Sequence, residues 1–219
     1  MLKIAVLLIA VTFCPLVISA QTTIDRDDNQ SWNDVQLIVP MAEQFDFFLS
    51  GTLRFGKIIT RVSEARLGFG FVFKPLKYLS LSSSYLNVVA RNSRGMFKRE
   101  NRLVFYARYR FPIKEFGLSH RSQFEWRIRS PRNSWRYRPS LTFEKDLPKN
   151  FIAKAKFYVT EEAFYDSLLD KFSRNRFSFG VTKTLNKKLS LDVYYLRQND
   201  GFSIPGDLNV IGTAWRIKL

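Results

Sequence analysis

The chain contains one histidine, and it stands two residues from a serine, in His120-Arg121-Ser122. In an extended strand, residues i and i+2 point to the same face. The spacing therefore sets an imidazole and a hydroxyl side by side, the smallest unit of Ser–His nucleophilic chemistry. An acidic group to orient the imidazole would have to come from an adjacent strand, and none is evident on the matching faces. The chain is accordingly read as a non-enzyme with no catalytic residue assigned. A membrane-embedded lipid-modifying enzyme using His120 and Ser122 is the alternative. One Cys and one His exclude a disulfide scaffold and any Cys/His zinc cluster. No Gly-rich phosphate loop or cofactor motif is present, so no metal or cofactor is expected.

Arginine is the second concentration of chemistry. The 219 residues carry 35 Lys and Arg against 19 Asp and Glu, for a net charge of +16. Arg66, Arg102, Arg108, Arg110, Arg121, Arg127, Arg129, Arg136 and Arg138 recur at even spacings, with Glu64, Glu125 and Glu144 among them. Arg presents a rigid fork of donors that suits bidentate pairing with carboxylates on neighbouring strands. Adding Arg54, Lys154, Lys156, Arg216 and Lys218, and Asp46 and Asp192, gives fourteen cations against five anions, a surplus of about nine. Such a set makes either an Arg–Glu plug or a wall that attracts small anions. Four further cations, Arg91, Arg94, Lys98 and Arg99, cluster around one connection and suit the anionic groups of lipopolysaccharide. Nucleic acid is a poor fit. Stacking platforms need aromatics and cations on one surface, and here they alternate onto opposite faces.

That alternation is what positions all of these groups. In 101–111, Leu103, Phe105, Ala107, Tyr109 and Phe111 share one face, and Arg102, Val104, Tyr106, Arg108 and Arg110 the other. The same period of two runs through 45–55, 61–73, 118–129, 135–144, 151–160, 174–183, 189–197 and 209–219, and more loosely through 32–40 and 78–89. Eleven candidate strands follow, and the only segment that reads as an amphipathic helix is 161–171. Short connections at 74–77, 112–115, 145–149 and 184–187 alternate with longer ones, the mark of an up-and-down meander. Closure removes the two edges such a meander would expose. The reading is an all-β, up-and-down antiparallel transmembrane barrel of ten to twelve strands. Bacterial single-chain barrels normally have even numbers. Either part of 21–31 then supplies a twelfth strand, or 32–40 lies outside the wall. Pro139, which cannot donate to a ladder, predicts a bulge or strand irregularity.

Alternation alone does not say which face is inside. A soluble periplasmic lipid-binding barrel would hide the apolar set, and a membrane barrel reverses it. About eleven strands enclose more volume than apolar side chains fill. Aromatics also gather towards strand ends, with Trp126, Trp135, Tyr137 and Tyr195 at one end and Phe73, Phe111, Phe116, Phe143 and Phe151 at the other. Two such belts match the two interfaces of a bilayer, so the basic faces are placed in the lumen.

Residues 1–20 read as a signal peptide. Lys3 gives a basic start, an apolar run spans 4–18, and Ser19-Ala20 offers a cleavage site. Residues 21–31 are a flexible polar lead-in, and 32–219 form a single barrel domain. Export by a cleaved signal peptide places the barrel in the outer membrane of a Gram-negative bacterium.

The stretch Leu118-Ser119-His120-Arg121 with Glu125-x-Arg127, preceded by Glu100-Asn101-Arg102-Leu103, resembles the bacterial family called domain of unknown function 2490. Phe172-Ser173-Arg174-Asn175-Arg176 and the closing hairpin 177–197 are similar to it too. The resemblance implies an outer-membrane-type β-barrel and carries no established activity or catalytic residue.

Overall fold

A computed structural model describes residues 27–92 and 94–219. The signal peptide and the first part of the lead-in lie outside the described residues. Eleven strands follow one another: β1 (Asp27–Ala42), β2 (Phe45–Gly56), β3 (Arg61–Leu76) and β4 (Leu79–Arg91). Next come β5 (Phe97–Phe111), β6 (Gly117–Ile128), β7 (Ser134–Asp146) and β8 (Ala155–Asp166). β9 (Lys171–Thr184), β10 (Leu189–Asp200) and β11 (Asp207–Lys218) complete the wall. Each strand pairs with its sequence neighbours, and β1 closes the barrel against β11.

The closing seam is parallel, running from Asp27 opposite Asp207 to Ile38 opposite Lys218. An odd meander requires this, because its first and last strands run the same way. The purely antiparallel expectation is corrected at this one seam, and neither route to an even count holds. Residues 32–40 lie in the wall, hydrogen-bonded to β2 on one side and β11 on the other. Residues 27–31 extend the same strand, so this part of the expected lead-in belongs to the wall.

Further expectations change. The segment 161–171 continues β8 to Asp166 and then makes one turn, in which Asp170 N donates to Asp166 O at 2.9 Å. Leu168 N donates to Asp166 Oδ1 at 3.0 Å, and Asp170 takes a φ of 54° to leave the turn. That turn supplied the helical spacing. β8 likewise starts at Ala155 rather than 151, because Phe151 and Ile152 curl back to donate to Pro148 O. Lys154 leaves that turn at a φ of 55° and sits outside the wall, not in the lumen. The longest connection, 147–154, thus falls at the mouth expected to carry only short turns. At Pro139 the ladder to β6 is continuous, whereas pairing with β8 lapses at Arg138 and Pro139 without a change of register. The proline leaves a gap in the ladder, the strand irregularity expected there, and no bulge.

The faces are arranged as a barrel with an apolar outside. Leu67 is 71% exposed and Phe105 47%, with Phe69, Phe71, Trp126, Ile128, Phe179 and Ile211 also turned outward. Buried instead are Glu100, Arg102, Gln123, Glu125, Arg127, Glu162, Asp166, Arg176 and Asp200. Aromatic pairs, stacked at one end and tilted at the other, band the outer wall. Phe124, Trp135 and Tyr165 run in series at 5.7 and 5.5 Å, while Phe45–Phe73 and Phe116–Phe143 pair at 5.2 and 5.1 Å. Inside, Gly212 allows Tyr194 to lie against the wall, since a Cβ there would come within 2.0 Å of its ring.

Candidate functional site

The mouth at which β1 begins also carries the β2–β3, β4–β5, β6–β7, β8–β9 and β10–β11 connections. We call it the first mouth. Below it, nine arginines and six acids from eight strands form one network across the lumen. Glu64 on β3 binds Arg54 of β2 at 3.0 Å and Arg66 at 2.5 Å. Glu100 on β5 accepts both Arg102 and a bidentate fork from Arg127 of β6, at 2.6 and 2.7 Å. Glu162 on β8 accepts Arg121 and, with both oxygens at 2.9 Å, Arg138 of β7. Arg138 also reaches Glu125, Arg136 pairs with Asp166 at 2.6 Å, and Arg174 with Asp200 at 2.5 Å.

Two buried aromatics carry the network between strands that do not touch. Trp32 of β1 lies between Arg54 at 3.5 Å and Arg176 of β9 at 4.8 Å. Phe164 of β8 lies beneath Arg138, Arg174 and Arg176 at 4.4, 5.5 and 4.7 Å. A guanidinium over a ring face is held by the ring quadrupole, so each aromatic fills space and also anchors charge. Trp32 is fixed in turn by its Nε1, which donates to Gln30 Oε1 at 2.8 Å.

Of the expected lumen cations, Arg66, Arg102, Arg121, Arg127, Arg136 and Arg138 meet in this network with Glu64 and Glu125. Arg129 stands at its edge, 3.6 Å from Glu100. Arg110 and Glu144 pair with each other at 2.7 Å near the second mouth, apart from the network. Arg108 is exposed and makes no ion pair among the described residues. Glu100, Glu162, Asp166, Asp200, Arg174 and Arg176 were missed. Counting on by twos from Lys156 reaches Glu162 and Asp166, as counting from Asp192 reaches Asp200. The apparent helix at 161–171 and the apparent loop at 199–208 hid that parity. With them included, the set counts sixteen cations against nine anions, and the network itself, nine arginines against six acids, carries a surplus of three.

From the first mouth a basin of about 560 Å³ reaches down into the network, as far as Glu64, Glu125 and Arg138. Arg91, Lys98 and Arg99 line it with Arg129, Arg132 and Arg136, and Arg94 lies outside it. Arg127 Nη1, buried in its wall, has no hydrogen-bond partner. Arg91 is partly committed to structure. It donates to Val62 O and Gly95 O at 2.9 and 2.8 Å and lies over Phe97, clasping the turn after β4.

On the outer wall, His120 Nε2 is 3.1 Å from Ser122 Oγ, which is 3.0 Å from Tyr137 Oη of β7. An acid does stand on these outward faces. Glu161, opposite Leu141 on β7, is hydrogen-bonded by Asn175 of β9. Leu141 separates it from His120, so it does not orient the imidazole.

Fold and site together define a closed, eleven-stranded β-barrel with an apolar outer wall and an ion-paired interior. The chain belongs to the family described as "Protein of unknown function (DUF2490)", whose model matches residues 29–207. No curated protein matches it. Among solved structures it is similar to the anion-selective porin from Comamonas acidovorans, with a TM-score of 0.39 and 13% identity. The match covers 80% of this chain and 54% of that one, so the chain spans about half the porin's length.

Proposed function

We propose that this is an outer-membrane barrel of a Gram-negative bacterium, exported by a cleaved signal peptide, whose lumen is closed by its own ion pairs. The observation that carries this reading is the burial of charge. Glu125 is 2% exposed, Arg127 5% and Arg176 8%, although all three point into the lumen. The opposing side chains of the network crowd these charges, although the first-mouth basin reaches down to all three. The outer wall supports the membrane setting, because its strands exceed the 9–11 residues that cross a bilayer and its apolar surface is banded by aromatics.

Purified wild-type protein reconstituted in planar bilayers is expected to insert, to show heat-modifiable mobility on denaturing gels, and not to conduct. Steady conductance would sink the plug. If that conductance preferred anions, the open anion-preferring pore would replace it. Full extraction from membranes by carbonate would sink the barrel's membrane setting.

The first mouth is the surface through which such a barrel would meet a partner. Its basin gathers cations that nothing fully neutralises, and the phosphates and carboxylates of lipopolysaccharide are ligands of matching charge. Replacing Arg94, Lys98 and Arg99 with Gln, leaving Arg91 to clasp its turn, is expected to weaken retention on immobilised lipopolysaccharide at low salt. The difference should vanish as ionic strength rises and the Debye length shrinks. Unchanged retention at low salt would remove lipopolysaccharide as the partner.

A further inference from the structure

We propose that Ser122 is a nucleophile of acyl transfer, with His120 as its base, acting on the ester of a membrane lipid from the outer face of the barrel. The pair has the geometry of an activated serine. His120 Nε2 lies 3.1 Å from Ser122 Oγ, where its neutral imidazole can take the hydroxyl proton, and the Tyr137 hydroxyl lies 3.0 Å from the same oxygen, where either can donate. Strand register builds this arrangement. His120 and Ser122 are two apart on β6 and share its outer face, and Tyr137 on β7 stands directly opposite Phe124, the next outward position.

Two further observations point to a ligand. Ser122 and Tyr137 lie on a groove of about 510 Å³ in the outer wall. It is rimmed by Phe71, Phe73, Phe105 and Phe124, with the small residues Ser83 and Ala107 between them. Its surface is almost wholly apolar apart from the serine and tyrosine hydroxyls, which suits an acyl chain whose carbonyl end reaches Ser122. The second observation is the company these groups keep. His120, Ser122, Tyr137 and the Glu161–Asn175 pair stand on a mostly apolar wall, on which Asn87–Asn101 and Asn33–Thr213 are further polar pairs but carry no ionisable group. Ionisable groups facing lipid are costly, and a functional role is their first explanation.

In the step assigned here, Ser122 Oγ bonds to the ester carbonyl carbon as its proton passes to His120 Nε2. Tyr137 is placed to donate to the oxygen that gathers negative charge. The bond to the alcohol oxygen then breaks, and His120 returns the proton to that oxygen, leaving an acyl-Ser122 ester. Water, giving a proton to His120, releases the fatty acid and restores the serine.

The test uses the full-length barrel in detergent micelles and in phospholipid vesicles, with an alkyl fluorophosphonate as covalent probe and a long-chain p-nitrophenyl ester as substrate. Wild type should be labelled at Ser122 and should turn the ester over. Ser122→Ala should lose both. His120→Asn should slow labelling by about 10²–10⁴-fold, the range general-base catalysis supplies. Tyr137→Phe should slow turnover more than labelling, because it removes a donor and leaves the nucleophile. Heat-modifiable mobility of each variant separates loss of chemistry from loss of fold. A folded wild type that is neither labelled nor active, or a Ser122→Ala variant labelled equally well, overturns the assignment. Neither result bears on the closed lumen, which conductance tests separately.

Discussion

Glu162→Gln is expected to destabilise the barrel by about 3–5 kcal/mol, the range for removing one partner of a buried ion pair. Glu162 accepts Arg121 and, with both oxygens, Nη2 of Arg138, and Arg176 lies 3.9 Å away. A carboxamide keeps the shape but offers one acceptor oxygen and no charge. Arg121 then has no other ion pair within reach among the described residues, and Arg138 falls back on Glu125 alone. The desolvated guanidinium groups, not the lost attraction, set the size of the effect. Glu144→Gln is the internal control. Its carboxylate pairs with Arg110 at the second mouth, where the two side chains are 31% and 51% exposed. Exposed pairs contribute about 0–1 kcal/mol, so this variant should unfold close to wild type. Urea unfolding of both variants in detergent micelles, followed by gel mobility, checks the contrast. Equal, small losses would mean that the lumen is wet and the network weak.

The same variant probes the plug. Arg121 and Arg138 released from Glu162 have no apolar packing to hold them across the lumen, apart from the Phe164 ring beneath Arg138. Conductance appearing in Glu162→Gln, where wild type has none, would identify these side chains as the closure. With the network's surplus of three positive charges raised to four, that conductance should prefer anions and lose its preference as salt rises.

The wall was legible in the sequence because period two is a local property. Each strand's two faces could be read from a dozen residues without knowing its neighbours. The odd count was legible as well, but its consequence was not, because closure is a property of the ring and no single segment signals a parallel seam. Glu162 and Asp166 were hidden for a different reason. One turn at Ser167–Asp170 superposed helical spacing on the end of a strand, and a short window cannot tell a strand followed by a turn from a helix. The pairing of Trp32 with Arg54 and Arg176 had no sequence signal at all. β1 and β9 come together only after β10 and β11 have been laid between them. His120 and Ser122 were visible as a pair, whereas Tyr137 joined them only through the register of β6 against β7.

Phe105→Arg is expected to cost about 2–4 kcal/mol, the penalty for a cation near the midplane of a transmembrane barrel's lipid face. Phe105 lies mid-strand on β5 between Ser83 and Phe124, with no acid beside it on the outer wall. Arg108→Leu, three residues on and facing the lumen mouth, should be nearly silent, since Arg108 is exposed and makes no ion pair among the described residues. Leu141→Arg separates charge from position. Leu141 is as exposed as Phe105, at 46% against 47%, yet it stands directly opposite Glu161. Opposite charges facing each other across strands attract, and in a lipid setting Glu161 would neutralise much of the new charge. Leu141→Arg should therefore cost clearly less than Phe105→Arg, and Glu161→Gln should erase the difference. Reversible folding into lipid vesicles, monitored by gel mobility and tryptophan emission, measures all four. If Phe105→Arg were harmless while Arg108→Leu blocked insertion, the outer wall would not be facing lipid. If the two arginine variants cost the same with Glu161 intact, Glu161 would not be close enough to receive a charge across β7 and β8.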